Sequence, residues 1–149
     1  MRLRGVELEY VQRLGARWKI DANLSYVDAV RLDSDTEAPG GANWLGNLAL
    51  LWRPHERWTA ALQLNYVGER SRVDYVARRD LDDSTTLDLT LSYQPPAKGL
   101  SLHAGIKNLG DASLYYPDIL TRYAGVDLIY PDGYPRAGRR WWISAAYAF

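Results

Sequence analysis

W-K-I-D-A-N-L-S-Y, residues 18 to 26, alternates side chain by side chain. Trp18, Ile20, Ala22, Leu24 and Tyr26 fall on one face, and Lys19, Asp21, Asn23 and Ser25 on the other. A helix would scatter both sets around its circumference, so a period of two means a strand with one apolar and one polar face. Trp58, Ala60, Leu62, Leu64 and Tyr66 repeat the pattern against Thr59, Ala61, Gln63 and Asn65. Trp44, Gly46, Leu48, Leu50 and Trp52 make a third such face, with a less polar reverse side.

The same alternation extends in both directions. Val6, Leu8 and Tyr10 oppose Glu7 and Glu9; Leu87, Leu89, Leu91 and Tyr93 oppose Asp88, Thr90 and Ser92. Leu100, Leu102, Ala104 and Ile106 oppose Ser101, His103 and Lys107. Finally Trp141, Ile143, Ala145, Tyr147 and Phe149 stand against Trp142 and the small residues Ser144, Ala146 and Ala148. The expected spans are about 5–12, 18–28, 43–53, 58–69, 84–93, 100–108 and 139–149. Short links at Arg13 to Arg17, Pro54 to Arg57 and Gln94 to Gly99 alternate with long ones at Arg31 to Ala42, Arg70 to Ser84 and Leu109 to Gly138. Local strand structure around Val126 to Tyr130 is left open. Short turns at one end and long loops at the other are the habit of outer-membrane barrels.

Period two alone also fits a soluble β-sandwich or a small barrel, and that alternative stays open at this point. The aromatics weigh against it. Trp18 and Tyr26, Trp44 and Trp52, and Trp58 and Tyr66 each bracket an apolar face at a spacing of eight residues. Eight residues of strand cover roughly 26 Å, and at a tilt of about 40° the vertical rise is roughly 20 Å, near the height of the outward apolar band of such barrels. Trp and Tyr suit both boundaries, each with a ring for hydrocarbon and a polar handle for the interface. The chain holds 11 Tyr and 6 Trp against a single Phe. The expected fold is therefore all-β, an antiparallel transmembrane β-barrel segment of about seven strands. A barrel with an even strand number needs at least one strand more.

Composition narrows the chemistry. Lys plus Arg is 18 and Asp plus Glu is 18, so no charge excess points to nucleic acid. Without cysteine there is no disulfide or thiolate metal site. His55 in a turn and His103 on a strand have no neighbouring metal-ligating partners in sequence, and no phosphate-binding glycine pattern or nucleophile elbow appears. Ser101 near His103 is a poor start for a triad, and the pair Asp82 and Asp83 reads as solvated loop acids. No catalytic residue, metal ligand or cofactor is expected. The opening MRLRGVELEYVQRL lacks the apolar core of a signal peptide, so a piece of a longer exported chain is expected.

Four stretches then carry a family likeness: GVELEY (5–10), LNYVGER (64–70), NLGDASLYY (108–116) and GRRWWISAAYAF (138–149). In this order the whole of 1–149 resembles the carboxy-terminal part of the β-barrel of a TonB-dependent outer-membrane receptor. Ala137 stands where the family often has Pro, and Gly110 where a larger residue is usual. The resemblance implies an incomplete part of a 22-stranded barrel, located in the cell outer membrane, with the plug domain absent from this chain. It implies a parent that imports siderophore-iron, cobalamin or a similar scarce ligand. Implied partners are outer-membrane lipid, the remaining strands and plug, the barrel assembly machinery, and an inner-membrane energy-transducing complex reached only through an N-terminal region. Trp141, Tyr147 and Phe149 then match the family's closing strand, read as an assembly signal. Asn108 and Asp111 are expected to brace the last loop through Asx-type turns, with Gly138 and Arg139 guiding it back into the wall. Arg70, Arg72, Tyr75, Arg78 and Arg79 form a basic-aromatic loop stretch suited to an anionic ligand. Glu7, Glu9, Asp21, Asn23, Asn47, Gln63, Asn65, Asp88, His103 and Lys107 are expected on the inner face.

Overall fold

The computed structural model describes residues 1–38, 40–72, 79–117, 121–123, 126–128 and 133–149, the backbone alone for 121–123 and 126–128. Its strands are β1 (Arg2–Leu14), β2 (Trp18–Arg31), β3 (Thr36–Glu37), β4 (Trp44–His55), β5 (Trp58–Val67) and β6 (Ser84–Tyr93). They continue as β7 (Leu100–Lys107), β8 (Tyr115–Tyr116), β9 (Thr121–Tyr123), β10 (Val126–Leu128), β11 (Tyr134–Pro135) and β12 (Arg140–Tyr147). The main sheet runs β1-β2-β4-β5-β6-β7-β12, every neighbour antiparallel, with β3 added to the end of β2. All seven expected spans are present, several of them longer than the alternation alone indicates. The sheet does not close: β1 and β12 are its two edges.

Antiparallel register turns seven striped strands into two continuous surfaces. Leu8 faces Leu24, Ala22 faces Leu48, Leu48 faces Leu64, Leu64 faces Leu87, and Leu89 faces Ile106. On the other surface Glu9, Asn23, Asn47, Asn65 and Thr86 form one cross-strand row. A slip of one residue anywhere would mix the two surfaces, so the alternation fixes the register.

The aromatic borders fall into line as well. Trp18 lies opposite Trp52 with rings stacked at 5.4 Å, and Tyr26 opposite Trp44 at 4.9 Å. Between β4 and β5 both borders step by two residues in the same direction: Ala60 rather than Trp58 faces Trp52, and Tyr66 faces Gly46 rather than Trp44. Rows of hydrogen bonds run across the strands, so a band level with a membrane must step in this way when strands tilt. Trp58 resumes a stacked pair with Tyr93 at 4.3 Å.

Nothing covers the apolar surface among the described residues. Leu24, Leu48, Leu62, Leu89, Leu91 and Leu102 stay exposed, Ile143 is 86% exposed, and Leu81 is the one buried hydrophobic residue among those described. A sandwich would hide those leucines against a second sheet; no second sheet packs on them among the described residues, and that alternative fails. Fully burying each such side chain is worth about 1.5–3 kcal/mol, a gain that only lipid can supply in this arrangement.

Two local features differ from the sequence reading. Pro54, placed in a turn by its residue type, lies inside β4, where the pairing with β5 shifts between Trp52 and His55. A bulge leaves a backbone position unpaired, which is where a strand tolerates proline. The long last loop also holds two small hairpins, β9 with β10 and β8 with β11. Strand β10 falls in the segment left open above, and Tyr130 lies outside the described residues.

Two outcomes follow. The purified chain will show β-sheet circular dichroism only with detergent or lipid and will pellet from plain buffer; a monodisperse monomer unfolding cooperatively in buffer would refute the lipid-facing surface. In a full-length receptor on whole cells, Asp35→Cys will react with an impermeant thiol reagent and His55→Cys will not, because the two lie at opposite ends of the strands.

Candidate functional site

The polar surface carries short groups of side-chain hydrogen bonds. Asn47 Nδ2 donates to Asn23 Oδ1 at 2.9 Å, Gln63 Nε2 to Asn65 Oδ1 at 3.1 Å, and Asn65 Nδ2 to Thr86 Oγ1 at 3.4 Å. Toward the short turns, Ser92 and His103 Nδ1 lie 2.9 Å apart beside a cavity of about 820 Å³ that Arg17, Arg53 and Arg57 also line. Trp142 is on this surface too: its ring lies over Gly105, where an added Cβ would come within 2.6 Å of it. Glycine at 105 makes that stacking possible.

At the long-loop end, the four loop-motif residues come together. Asn108 is buried at 5% exposure in a left-handed conformation with φ of 52°. Its Nδ2 donates to the Ala112 carbonyl at 2.8 Å, its Oδ1 accepts from the Ala112 amide at 3.0 Å, and its own amide donates to Asp88 Oδ1 at 2.8 Å. Asparagine tolerates this backbone and supplies both bonds, which few other residues do. Asp111, with φ of 56°, then accepts from the Arg139 amide at 2.7 Å, and the Arg139 guanidinium lies 3.8 Å from its other oxygen. An added Cβ at Gly138 would sit 2.6 Å from Asp111 Oδ1, so glycine leaves room for the carboxylate. The two ends of a loop spanning 28 residues are thereby pinned to each other.

The basic stretch divides. Arg70 and Leu81 exchange backbone hydrogen bonds of 3.0 and 3.1 Å, and Arg70 also bridges to Ala42. Arg70 is 9% exposed and Arg72 7%. Arg79 instead points outward and pairs with Asp82. Tyr75 and Arg78 lie outside the described residues. Beside Arg70 comes a residue the sequence did not single out: Arg136, whose guanidinium lies 4.7 Å above the Tyr116 ring. Pairing of Tyr134 with Tyr116 brings it there across the last loop, a contact no local sequence signal announces. Burial pushes the Arg70 pKa down; the Tyr116 phenol acts the other way, and the Arg136 charge adds to the downward shift. Arg70, Arg136, Tyr115 and Tyr116 line one cavity of about 320 Å³, with Leu45, Val67 and Ser84 of the inner surface as its floor.

At the closing strand, Trp141, Ile143 and Tyr147 face outward with Phe149, whose ring meets Tyr147 edge-on at 5.2 Å and is otherwise bare. Pairing continues past β12 through the Ala148 amide to the Gly99 carbonyl at 2.8 Å.

A TonB-dependent receptor-like β-barrel family model matches residues 1–109. The chain belongs to that family. No curated protein matches its sequence. Among solved structures, a ferric enterobactin receptor mutant from Pseudomonas aeruginosa superposes with a TM-score of 0.82 at 22% identity, over 99% of this chain and 22% of its own. The copper transporter OprC gives 0.80 at 21% identity over 99% and 24%, and the ferric-catecholate import receptor Fiu of E. coli K12, closed form, 0.74 at 15% identity over 99% and 21%. This chain thus spans under a quarter of the receptors it resembles. The open sheet is part of an outer-membrane barrel wall, its leucine-rich surface toward lipid and its asparagine row toward the lumen.

Asn108 gives the sharpest stability test. In the refolded full-length receptor, Asn108→Ala removes both bonds to Ala112 and will lower the unfolding free energy by about 1–3 kcal/mol in urea titrations. Asn108→Gly loses the same bonds but suits the left-handed backbone, and will cost about 1 kcal/mol less. Equal losses would show that the backbone conformation carries no part of the effect.

Proposed function

We propose that this chain is a late part of the barrel wall of a receptor that captures a scarce ligand at the cell surface and imports it by energised transport. The observation that carries the reading is the match to the TonB-dependent receptor β-barrel together with a polar row that crosses five strands from Glu9 to Thr86. The similar structures are described as two iron-chelate receptors and a copper transporter, which supports a metal chelate as cargo. Siderophore-iron is the first candidate, with cobalamin and related ligands next. The similar structures named above are described as receptors and a transporter, which supports transport as the role of the parent.

The parent's other parts supply what a wall cannot. A plug domain would rest against the Asn23–Asn47–Asn65 row, and an N-terminal segment would reach the inner-membrane energy-transducing complex. The closing strand ends in a bare Phe149 beside Tyr147, with Trp141 on the same outward side. That exposed aromatic edge supports recognition by the barrel assembly machinery.

Import is tested in cells lacking the receptor gene, grown under metal limitation on a panel of chelates. At least one chelate will support growth only when the full-length receptor and the energy-transducing complex are both present; growth on every chelate without the receptor overturns the reading. Deleting Phe149 will reduce the heat-modifiable, folded species on cold gels, and Phe149→Leu, which keeps much of the apolar area, will slow insertion while leaving ligand affinity per folded receptor unchanged. Normal insertion of the deletion variant sinks the assembly role.

A further inference from the structure

Alternation forbids a register slip of one residue but not a slip of two, because the faces repeat at every second position. For most neighbouring strands something else forbids it. Short turns fix β1 on β2, β4 on β5 and β6 on β7. Across two of the long loops rings stack instead: Trp18 with Trp52 and Tyr26 with Trp44 between β2 and β4, and Trp58 with Tyr93 between β5 and β6. The closing pair, β7 with β12, has neither device. Its connection runs from Asn108 to Arg139, and β7 carries no Tyr, Trp or Phe to stack with. The small β8–β11 hairpin above does not dictate the pairing, since the nine steps from Lys107 to Tyr116 face the six from Tyr134 to Arg140.

The outward side chains would accept a slip. Displacing β12 by two residues sets Ile143 on Ile106, Ala145 on Ala104, Tyr147 on Leu102 and the bare Phe149 on Leu100, apolar against apolar throughout. It also parts Lys107 from Arg140, a directly opposed like-charge pair that disfavours the register observed. What the observed register provides is a seat for Trp142. Gly105 is the one position on the inner face of β7 without a side chain, and the indole lies over it. An added Cβ would come 2.6 Å from Cε2 and Nε1 and 2.7 Å from Cζ2 of that ring. The fit is close enough to shut Nε1 away without a hydrogen-bond partner, a cost that the packing has to offset. After the slip Trp142 would stand opposite Lys107, and Gly105 opposite Ser144. The Asp111–Arg139 clasp opposes the same slip, but its ion pair is exposed and contributes little.

We propose that Gly105 and Trp142 form a register lock: the ring of the closing strand seats in the notch left by the glycine and selects one of two face-compatible pairings. An aromatic set across a strand glycine pins register in this way. The consequence lies at the free edge of β12. A slip of two residues displaces that edge by about 7 Å along the sheet, and every backbone bond to the strand that continues the wall is displaced with it. The lock thereby sets the height at which the barrel closes. It rests on the barrel-wall reading, since an edge that met no further strand would have no height to set.

The test reads register in the full-length receptor, freed of any other cysteine, with disulfides formed by oxidation after insertion. His103→Cys with Ser144→Cys reports the observed pairing, and His103→Cys with Ala146→Cys the slipped one. Directly opposed positions lie within disulfide reach and positions displaced by two do not. With Gly105 and Trp142 intact, the 103–144 disulfide will exceed the 103–146 disulfide roughly tenfold or more. Trp142→Leu and Gly105→Val will each lower that ratio severalfold. Trp142→Phe, which keeps a flat ring, will preserve it, and so will Ile143→Ala, which removes apolar area from the outer face of the same strand. A ratio unchanged by both Trp142→Leu and Gly105→Val overturns the proposal. So does a ratio that Ile143→Ala lowers as much, which makes the slip a consequence of lost stability. Where a variant does not insert in cells, the ratio is read on receptor refolded into detergent; less folded protein at an unchanged ratio assigns Trp142 to stability alone and overturns the lock. The ratio is read whether or not any chelate is imported, so failure of the lock and failure of the import reading are separately visible.

Discussion

A strand in hydrocarbon has nowhere to place its N–H and C=O groups except on a neighbouring strand. That requirement holds this structure together, since almost no side chain is buried to do it. The seven long strands exchange their backbone bonds in an unbroken antiparallel series, and the chain ends at two open edges. Each edge is a row of unpaired donors and acceptors that lipid cannot satisfy and only further strands can. The stability of this wall is therefore shared with the rest of the barrel in a way that the stability of a soluble domain is not.

From that constraint the side chains inherit their jobs. Because pairing fixes the pleat, every odd-even choice in the sequence becomes a choice between lipid and lumen. Leu48 and Asn47 are neighbours in the chain, yet one faces hydrocarbon and the other hydrogen-bonds to Asn23 in the lumen. Aromatic rings mark where hydrocarbon stops. Their two-residue step between β4 and β5 is the tilt of the wall expressed in register, since both borders move together.

This is why so much of the wall was legible and so little of the mouth. Alternation is local: Trp18 to Tyr26 states its two faces without reference to any other residue, and register follows by matching faces. Asn108 and Asp111 could also be suspected from their own types, because Asx turns are made within a few residues. Their link to Gly138 and Arg139 could only be borrowed from resemblance, since the Asp111–Arg139 bond spans 28 positions. Pro54 misled because a proline in a strand is tolerated only at a bulge, and a bulge is a property of the pair rather than of one strand.

The basic stretch shows the same limit in its strongest form. Five residues between Arg70 and Arg79 were grouped because they are close in sequence. The loop separates them: Arg70 is drawn inward by its two bonds to Leu81, and Arg79 turns outward to Asp82. Meanwhile Arg136, sixty-six positions away from Arg70 by subtraction of their numbers, arrives beside it on the β8–β11 hairpin. Burial sharpens the distinction, because a guanidinium kept from water depends on whatever occupies the space in front of it, whereas an exposed one is served by solvent. Charge proximity in sequence therefore says little about a mouth built from loops. What matters there is which cations the backbone pulls out of water together, and in this wall the backbone selects Arg70, then brings Arg136 to face it.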